Sequence, residues 1–298
     1  MYDILIIGAG PAGISAGIYA VSRGQKTLIL EQAQVGGIIG KVSTVTYYTA
    51  LQSHETGATF AARMKEQALN AGVEIAYETV IDVNLIGEFK TVRTNKGTYQ
   101  ARRIILANGG TPRKLGIPGE KELTGKGMGL NAPRDAAAYT GKNIYVVGGA
   151  DGAVKEALYL SSFARKLTII HFEDQLGCIP EFREKVAAAG NITLRLGSRL
   201  HGVYGADRVE RLEIASERDG SIETVEDPGC GIFVYAGVTP NTELYTELAL
   251  EDGYIPTNEK METAIPGVYA AGDIRVKQVR QVATAVSDGA IAALNAAL

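Results

Sequence analysis

The stretch that decides the fold is Asp3–Glu31, "DILIIGAGPAGISAGIYAVSRGQKTLILE". "DILIIG" is an unbroken Ile/Leu run after its first residue, the pattern of a strand buried on both faces. "PAGISAGIYAVSRG" reads as a helix with small residues on one side, ended by Gly24. "KTLILE" is the next strand, so the unit is β-α-β. Between strand and helix, Gly8-Ala9-Gly10-Pro11-Ala12-Gly13 fits G-x-G-x-x-G. Gly8 allows the tight turn, Gly10 lets the backbone approach a pyrophosphate, and Gly13 lets the helix pack on the strand. The helix N-terminus offers N–H groups and a positive dipole end to phosphates. Glu31 ends the second strand, where a carboxylate accepts hydrogen bonds from an adenosine ribose.

Working outward, Gly57–Ala71 reads as a helix. The alternating segments Glu74–Leu85, Phe89–Asn95 and Thr98–Asn108 read as an antiparallel meander. "GGTPRKLGIPGE" at Gly109–Glu120 reads as a linker. A second β-α-β then begins, with strand "NIYVVG" (Asn143–Gly148), helix Gly152–Arg165 and strand "KLTIIHFE" (Lys166–Glu173). Alternating segments follow at Ile192–Gly205, Val209–Glu217 and Ser221–Asp227, then the strand "GIFVYAG" and a tail with a short strand, a loop and a small-residue helix. One set of elements thus occurs twice. The expected fold class is α/β, with two Rossmann-like domains and the second inserted in the first.

The chain has 298 residues, 46% of them hydrophobic and 21% charged, enough for about two domains. A net charge of −3 gives no electrostatic reason to expect nucleic acid or an anionic membrane. No basic segment precedes "YDILIIGAG" and no apolar run reaches the roughly 18 residues of a membrane span, so a cytoplasmic protein is expected. Cys178 and Cys230 are the two cysteines, too few and too far apart for a disulfide framework. No metal site is expected.

"GAGPAG" with Glu31, Gly36-Gly37, "IILANG" (Ile104–Gly109), "IPGE" (Ile117–Glu120), "VTPNTEL" (Val238–Leu244) and the tail "AAGD…RQV" carry a resemblance. Over nearly its whole length the chain resembles the low-molecular-weight thioredoxin reductase family of flavoproteins. The resemblance implies a homodimer whose subunits have two three-layer ββα domains. Residues 1–112 and 240–298 would bind FAD, and 113–239 would be NAD(P)-binding-like. The implied FAD set begins with Gly8, Gly10, Pro11, Ala12, Gly13, Glu31 and Gln32. It continues through Gly36, Gly37, Ala107, Asn108 and Gly109 to Gly272, Asp273, Arg280, Gln281 and Val282. In the family the position of Asp273 binds the ribityl chain. Arg280-Gln281-Val282 lead a helix whose N-terminus faces the flavin pyrimidine, where its dipole favours the anionic reduced ring.

The departures bear on the chemistry. Asn131 and Arg134 fall at the two positions of the family's Cys-x-x-Cys, with Asp135 retained. Neither side chain exchanges a disulfide, which needs a thiolate. The second glycine turn reads Gly148-Gly149-Ala150-Asp151-Gly152, with Ala150 where the backbone meets the dinucleotide. "HFEDQLG" at His171–Gly177 lacks the family's arginines for a 2′-phosphate. Glu173 repels that phosphate and suits a ribose 2′-OH, which disfavours NADPH and leaves NADH as the nicotinamide to expect; a solvated acidic turn is the alternative. Tyr47 and Tyr48 either stack near the flavin or pack in the core.

Three functions follow. The first is an FAD-dependent oxidoreductase that passes electrons from NADH or a protein donor to a small-molecule or electron-carrier acceptor, with no internal disulfide. No side chain would be catalytic, the flavin being the redox centre. The second is a ferredoxin- or flavin-linked reductase that does not use NAD(P)H. The third is a non-catalytic redox sensor.

Overall fold

The computed structural model describes all 298 residues and divides into two compact units: Met1–Thr111 with Val238–Leu298, and Pro112–Gly237. In the first, Tyr2–Ile7 pairs in parallel with Thr27–Glu31 on one side and Thr98–Leu106 on the other. Glu74–Tyr77 and Val268–Ala270 extend the parallel sheet outward. Alternation along the central strand explains the layers. Ile4 and Ile6 face the helices Pro11–Ser22, Gly57–Asn70 and Val282–Ala296. Leu5 and Ile7 face Val83, Leu85 and Val92, contributed by the antiparallel strands Val80–Asn84 and Lys90–Thr94 and the residue after the first. Strand Thr98–Leu106 serves both layers, antiparallel to Lys90–Thr94 at its start and parallel to Tyr2–Ile7 at its end.

The second unit repeats the plan. Asn143–Val147 lies between Lys166–Ile170 and Gly231–Val234, with Ile192–Arg195 outside, all parallel. Ile144 and Val146 pack with helices Asp151–Ser161 and Pro180–Ala188, and Tyr145 and Val147 pack toward a separate antiparallel sheet. That sheet is Ser198–Tyr204, Arg211–Ser216 and Ile222–Glu226. Each unit is a three-layer ββα sandwich. No helix is long and apolar enough to cross a membrane.

Some expectations need correction. Glu74–Leu85 and Ile192–Gly205 are not single meander strands. Each breaks, and its first part, Glu74–Tyr77 or Ile192–Arg195, is a parallel edge strand. At the first break Glu78 N donates to the Glu31 carbonyl and Thr79 N to Asn95 Oδ1. At the second, Gly197 turns with φ +56 and donates to the Glu173 carbonyl. The linker also contains a strand, Gly110–Pro112, paired with Val238–Pro240. Helix Pro180–Ala188 was not anticipated, although Pro180 at its first position and Phe182 and Val186 on one face mark it.

Candidate functional site

The glycine turn is built from close approaches. A Cβ at Gly8, which has φ +100, would lie 2.6 Å from the Ala107 carbonyl oxygen. A Cβ at Gly13 would overlap the Gly8 carbonyl oxygen. Gly10 differs: nothing lies within 4 Å of where its Cβ would be. Gly10 is also the N-cap of Pro11–Ser22, with no side chain capping the first turn. Open space over an uncapped helix N-terminus is what an approaching phosphate requires.

The other residues implied for FAD assemble at this end of the sheet. Gly36 N donates to the Ala9 carbonyl at 2.9 Å, and a Cβ on Gly37 would lie 3.5 Å from Gly10 Cα. The Glu31 carboxylate accepts from Ala9 N and Ala33 N, each at 2.9 Å, with Gln32 exposed beside it. Ala107 N donates to Ile7 O. Asn108 is fully engaged: its Nδ2 donates to Asn241 O at 2.9 Å and its Oδ1 accepts from Tyr245 Oη at 2.7 Å. Gly109 accepts from Asn241 N.

The tail reaches the same place by helix packing. Ser15 Oγ donates to Val286 O at 2.7 Å, and a Cβ at Gly289 would overlap the Ala12 carbonyl oxygen. A Cβ at Gly272 would lie 2.9 Å from the Ala12 Cβ. Gln281 is the N-cap of Val282–Ala296, in a reciprocal box with Thr284. Asp273 is half-buried, and its Oδ1 is sealed from solvent with no hydrogen-bond partner; Lys277 Nζ is 4.0 Å away. Burial raises the Asp273 pKa against the pull of Lys277 and Arg280. The Arg280 Nε is also buried and unbonded, and its guanidinium sits 4.1 Å over the Tyr254 ring. Buried polar atoms without partners are rare and expensive, and both of these atoms have bonding capacity to give to a ligand.

A second turn occupies the matching position in the second unit. Gly148 has φ +130, and a Cβ would lie too close to the Tyr235 carbonyl oxygen. Ala150 is the N-cap of Asp151–Ser161 with no side-chain cap, and Gly152 faces open space. The Asp151 carboxylate is used by Ile179 N at 2.9 Å. The His171 ring lies directly over Gly149. Its Nε2 is 3.2 Å from Glu173 Oε2, and Glu173 is otherwise exposed.

Residues 2–289 match the family described as pyridine nucleotide-disulphide oxidoreductase. The chain belongs to this family. It is 40% identical to a thioredoxin reductase of Peptoclostridium acidaminophilum, over 99% of this chain and 96% of that one. Its fold matches the crystal structure of Lactococcus lactis thioredoxin reductase with a TM-score of 0.95 and 34% identity, covering 99% and 98% of the two chains. A ferredoxin-flavin thioredoxin reductase from Clostridium acetobutylicum is also similar, at 30% identity and a TM-score of 0.54 over 99% and 96%. The protein is therefore a thioredoxin reductase-like FAD oxidoreductase with the two Rossmann-like domains of that fold. Family membership implies FAD with a nicotinamide nucleotide.

Against that family background, Asn131 is the N-cap of the short helix Ala132–Asp135 and accepts from Arg134 N at 3.2 Å. Arg134 grips Asp135 through two bonds of 2.8 Å, and Asn131 N donates to the same carboxylate at 2.7 Å. These donors hold the Asp135 carboxyl below its ordinary pKa, the Arg134 bond most of all. Cys178 and Cys230 are buried free thiols in the two different core layers of the second unit. Burial raises the Cys178 pKa and pushes that of Cys230 up to about 12. Tyr48 is partly buried and packs against the core, edge-on to Phe60 at 5.5 Å. Tyr47 is exposed, with φ +59.

Sequence reasoning missed Asp288. Buried in the last helix, it accepts from Gly272 N at 3.1 Å, Arg275 Nε at 2.9 Å and Lys277 Nζ at 2.8 Å. It fixes the Gly272-Asp273 turn to the helix. The signal was one acid inside the small-residue run "VATAVSDGAIAALNA".

Proposed function

We propose that this chain is an FAD-dependent oxidoreductase that passes electrons from NADH or a protein donor directly to an external acceptor, without an internal disulfide. The observation that carries the reading is the absence of any Cys-x-x-Cys from the sequence. Asn131 and Arg134 stand in its expected place, joined by hydrogen bonds through the turn and Asp135. The two thiols that exist are buried, with raised pKa values, and neither supplies the thiolate that exchange needs. The dithiol route to thioredoxin that the family resemblance implies has no Cys-x-x-Cys here to run through.

The residues present fit FAD. Gly8, Gly10, Pro11, Ala12 and Gly13, with the uncapped helix start, would take the pyrophosphate. Glu31 has lone pairs left for the adenosine ribose beside its two backbone bonds, with Gln32 next to it. Asp273 Oδ1, unpaired in the protein, would accept from a ribityl hydroxyl, and Arg280 Nε would donate to a neighbouring oxygen. Gly272, Gln281 and Val282 would set the last helix against the ring, and Gly36, Gly37, Ala107, Asn108 and Gly109 would line the site. FAD supplies the two-electron redox chemistry when bound. The protein's part is to position it and to present the dipole of Val282–Ala296.

In the second unit, Gly148, Gly149, Ala150, Asp151 and Gly152 would meet a nicotinamide dinucleotide, with Glu173 at its ribose. A carboxylate there favours NADH over NADPH. Ala150, at the N-cap where the family resemblance expects a glycine, together with the similarity to a ferredoxin-flavin reductase, supports a second reading in which a reduced carrier protein is the donor. A homodimer in the cytoplasm is the expected setting. Anaerobic reduction by NADH, NADPH and reduced ferredoxin in parallel tests the reading. Fast flavin bleaching by NADH supports the first form and bleaching by ferredoxin alone the second. A purified chain that holds no FAD refutes both.

A further inference from the structure

We infer that His171 is a positioning residue that sets nucleotide selectivity by holding the Glu173 carboxylate toward the ribose diol of the dinucleotide. The inference rests on the NADH reading of the second site. Glu173 is exposed and sits in the loop after strand Lys166–Ile170, where a free side chain would sample several rotamers. Its Oε2 is 3.2 Å from His171 Nε2. A carboxylate only accepts, so Nε2 carries the proton and donates. The imidazole is itself immobile. It is more than nine-tenths buried, lies flat against Gly149 where any Cβ would collide with it, and stacks edge-on to Phe172 at 4.9 Å. The loop is tied down on both sides: His171 N donates to Arg195 O, Ser198 N to His171 O, and Gly197 N to Glu173 O. One carboxylate oxygen is thus spoken for and the other is left to a ligand.

A second observation points to a ligand at this spot. His171 Nδ1 is buried and has no hydrogen-bond partner. The ring's Cδ2, Cγ and Nε2 lie against Gly149, one residue before Ala150, the uncapped N-cap of Asp151–Ser161. The ring therefore joins the turn that would receive the pyrophosphate to the acid that would read the ribose. A nucleotide with a free 2′,3′-diol can donate to the fixed carboxylate; a 2′-phosphate meets it as a like charge.

The test is calorimetric binding of NAD⁺ and NADP⁺ to the FAD-loaded protein and to His171→Ala, His171→Gln and Glu173→Ala. Losing a hydrogen bond to a charged group predicts about tenfold weaker NAD⁺ binding for His171→Ala. His171→Gln keeps a donor and is expected within about threefold of the parent. NADP⁺ binding should change by less than about threefold in both. Combining His171→Ala with Glu173→Ala should cost no more than Glu173→Ala alone. Equal weakening by Ala and Gln, or equal weakening of both nucleotides, would overturn the positioning role and leave only packing. Tighter binding of NADP⁺ than NAD⁺ by the parent protein would overturn the NADH reading and this inference with it.

Discussion

Asp273 and Arg280 each present a buried polar atom that the chain leaves unsatisfied, and the cost falls on the folded protein. For Asp273 the direction with pH follows. Its folded-state pKa lies above the ordinary 3.8, so the neutral form is the better folded one. The associated stability is complete below 3.8 and is lost as pH rises through the raised value. Asp273→Asn should therefore make the apoprotein more stable than the parent at neutral pH and less able to retain FAD. Urea unfolding across pH, with flavin content measured alongside, checks both. Asp288 makes the opposite prediction. Asp288→Ala removes the nearest carboxylate from the nearly buried Lys277 and from Arg275 and should cost about 3–5 kcal/mol in chemical unfolding. At Gly13, an added methyl must push against the Gly8 carbonyl oxygen. Gly13→Ala should lose about 1–3 kcal/mol in thermal unfolding and release FAD.

At the scale of elements, the short helix Ala132–Asp135 is capped by Asn131 and contains Arg134, the residues that the proposed function places at the two dithiol positions. Its cap is Asn131, so Asn131→Ala should cost about 1 kcal/mol of stability. Arg134→Ala removes an ion pair whose arginine side is largely exposed and should cost about 1 kcal/mol or less. Neither should slow flavin reduction, read by rapid mixing with the donor. The sequence made the glycine turns and buried strands legible because their spacing reports a local backbone need: the Gly8–Gly13 turn and the Ile/Leu run of Tyr2–Ile7 are both short-range patterns. Glu74–Tyr77 was misread because its partner, Thr27–Glu31, is remote, and alternation alone does not distinguish a parallel edge from a meander. The Asp288 hub was invisible for a similar reason. Its partners Gly272, Arg275 and Lys277 lie 11 to 16 residues back along the chain, in the turn and loop before the last helix, and no local periodicity brings them to it.

Over the whole molecule, the same three-layer unit occurs twice, and each copy ends its first strand in a glycine turn over a helix start. The sequence holds no Cys-x-x-Cys, and under the proposed function the flavin is the one redox centre. Cys178 packs in the helix-side layer of the second unit and Cys230 in the layer toward its antiparallel sheet, so the sheet itself separates them. The most direct test is an anaerobic titration of the FAD-loaded protein with dithionite, counting electrons against flavin absorbance. Flavin alone takes up about two electrons per FAD, and that is the predicted total. Uptake of about four would reveal a reducible disulfide beside the flavin and contradict the account.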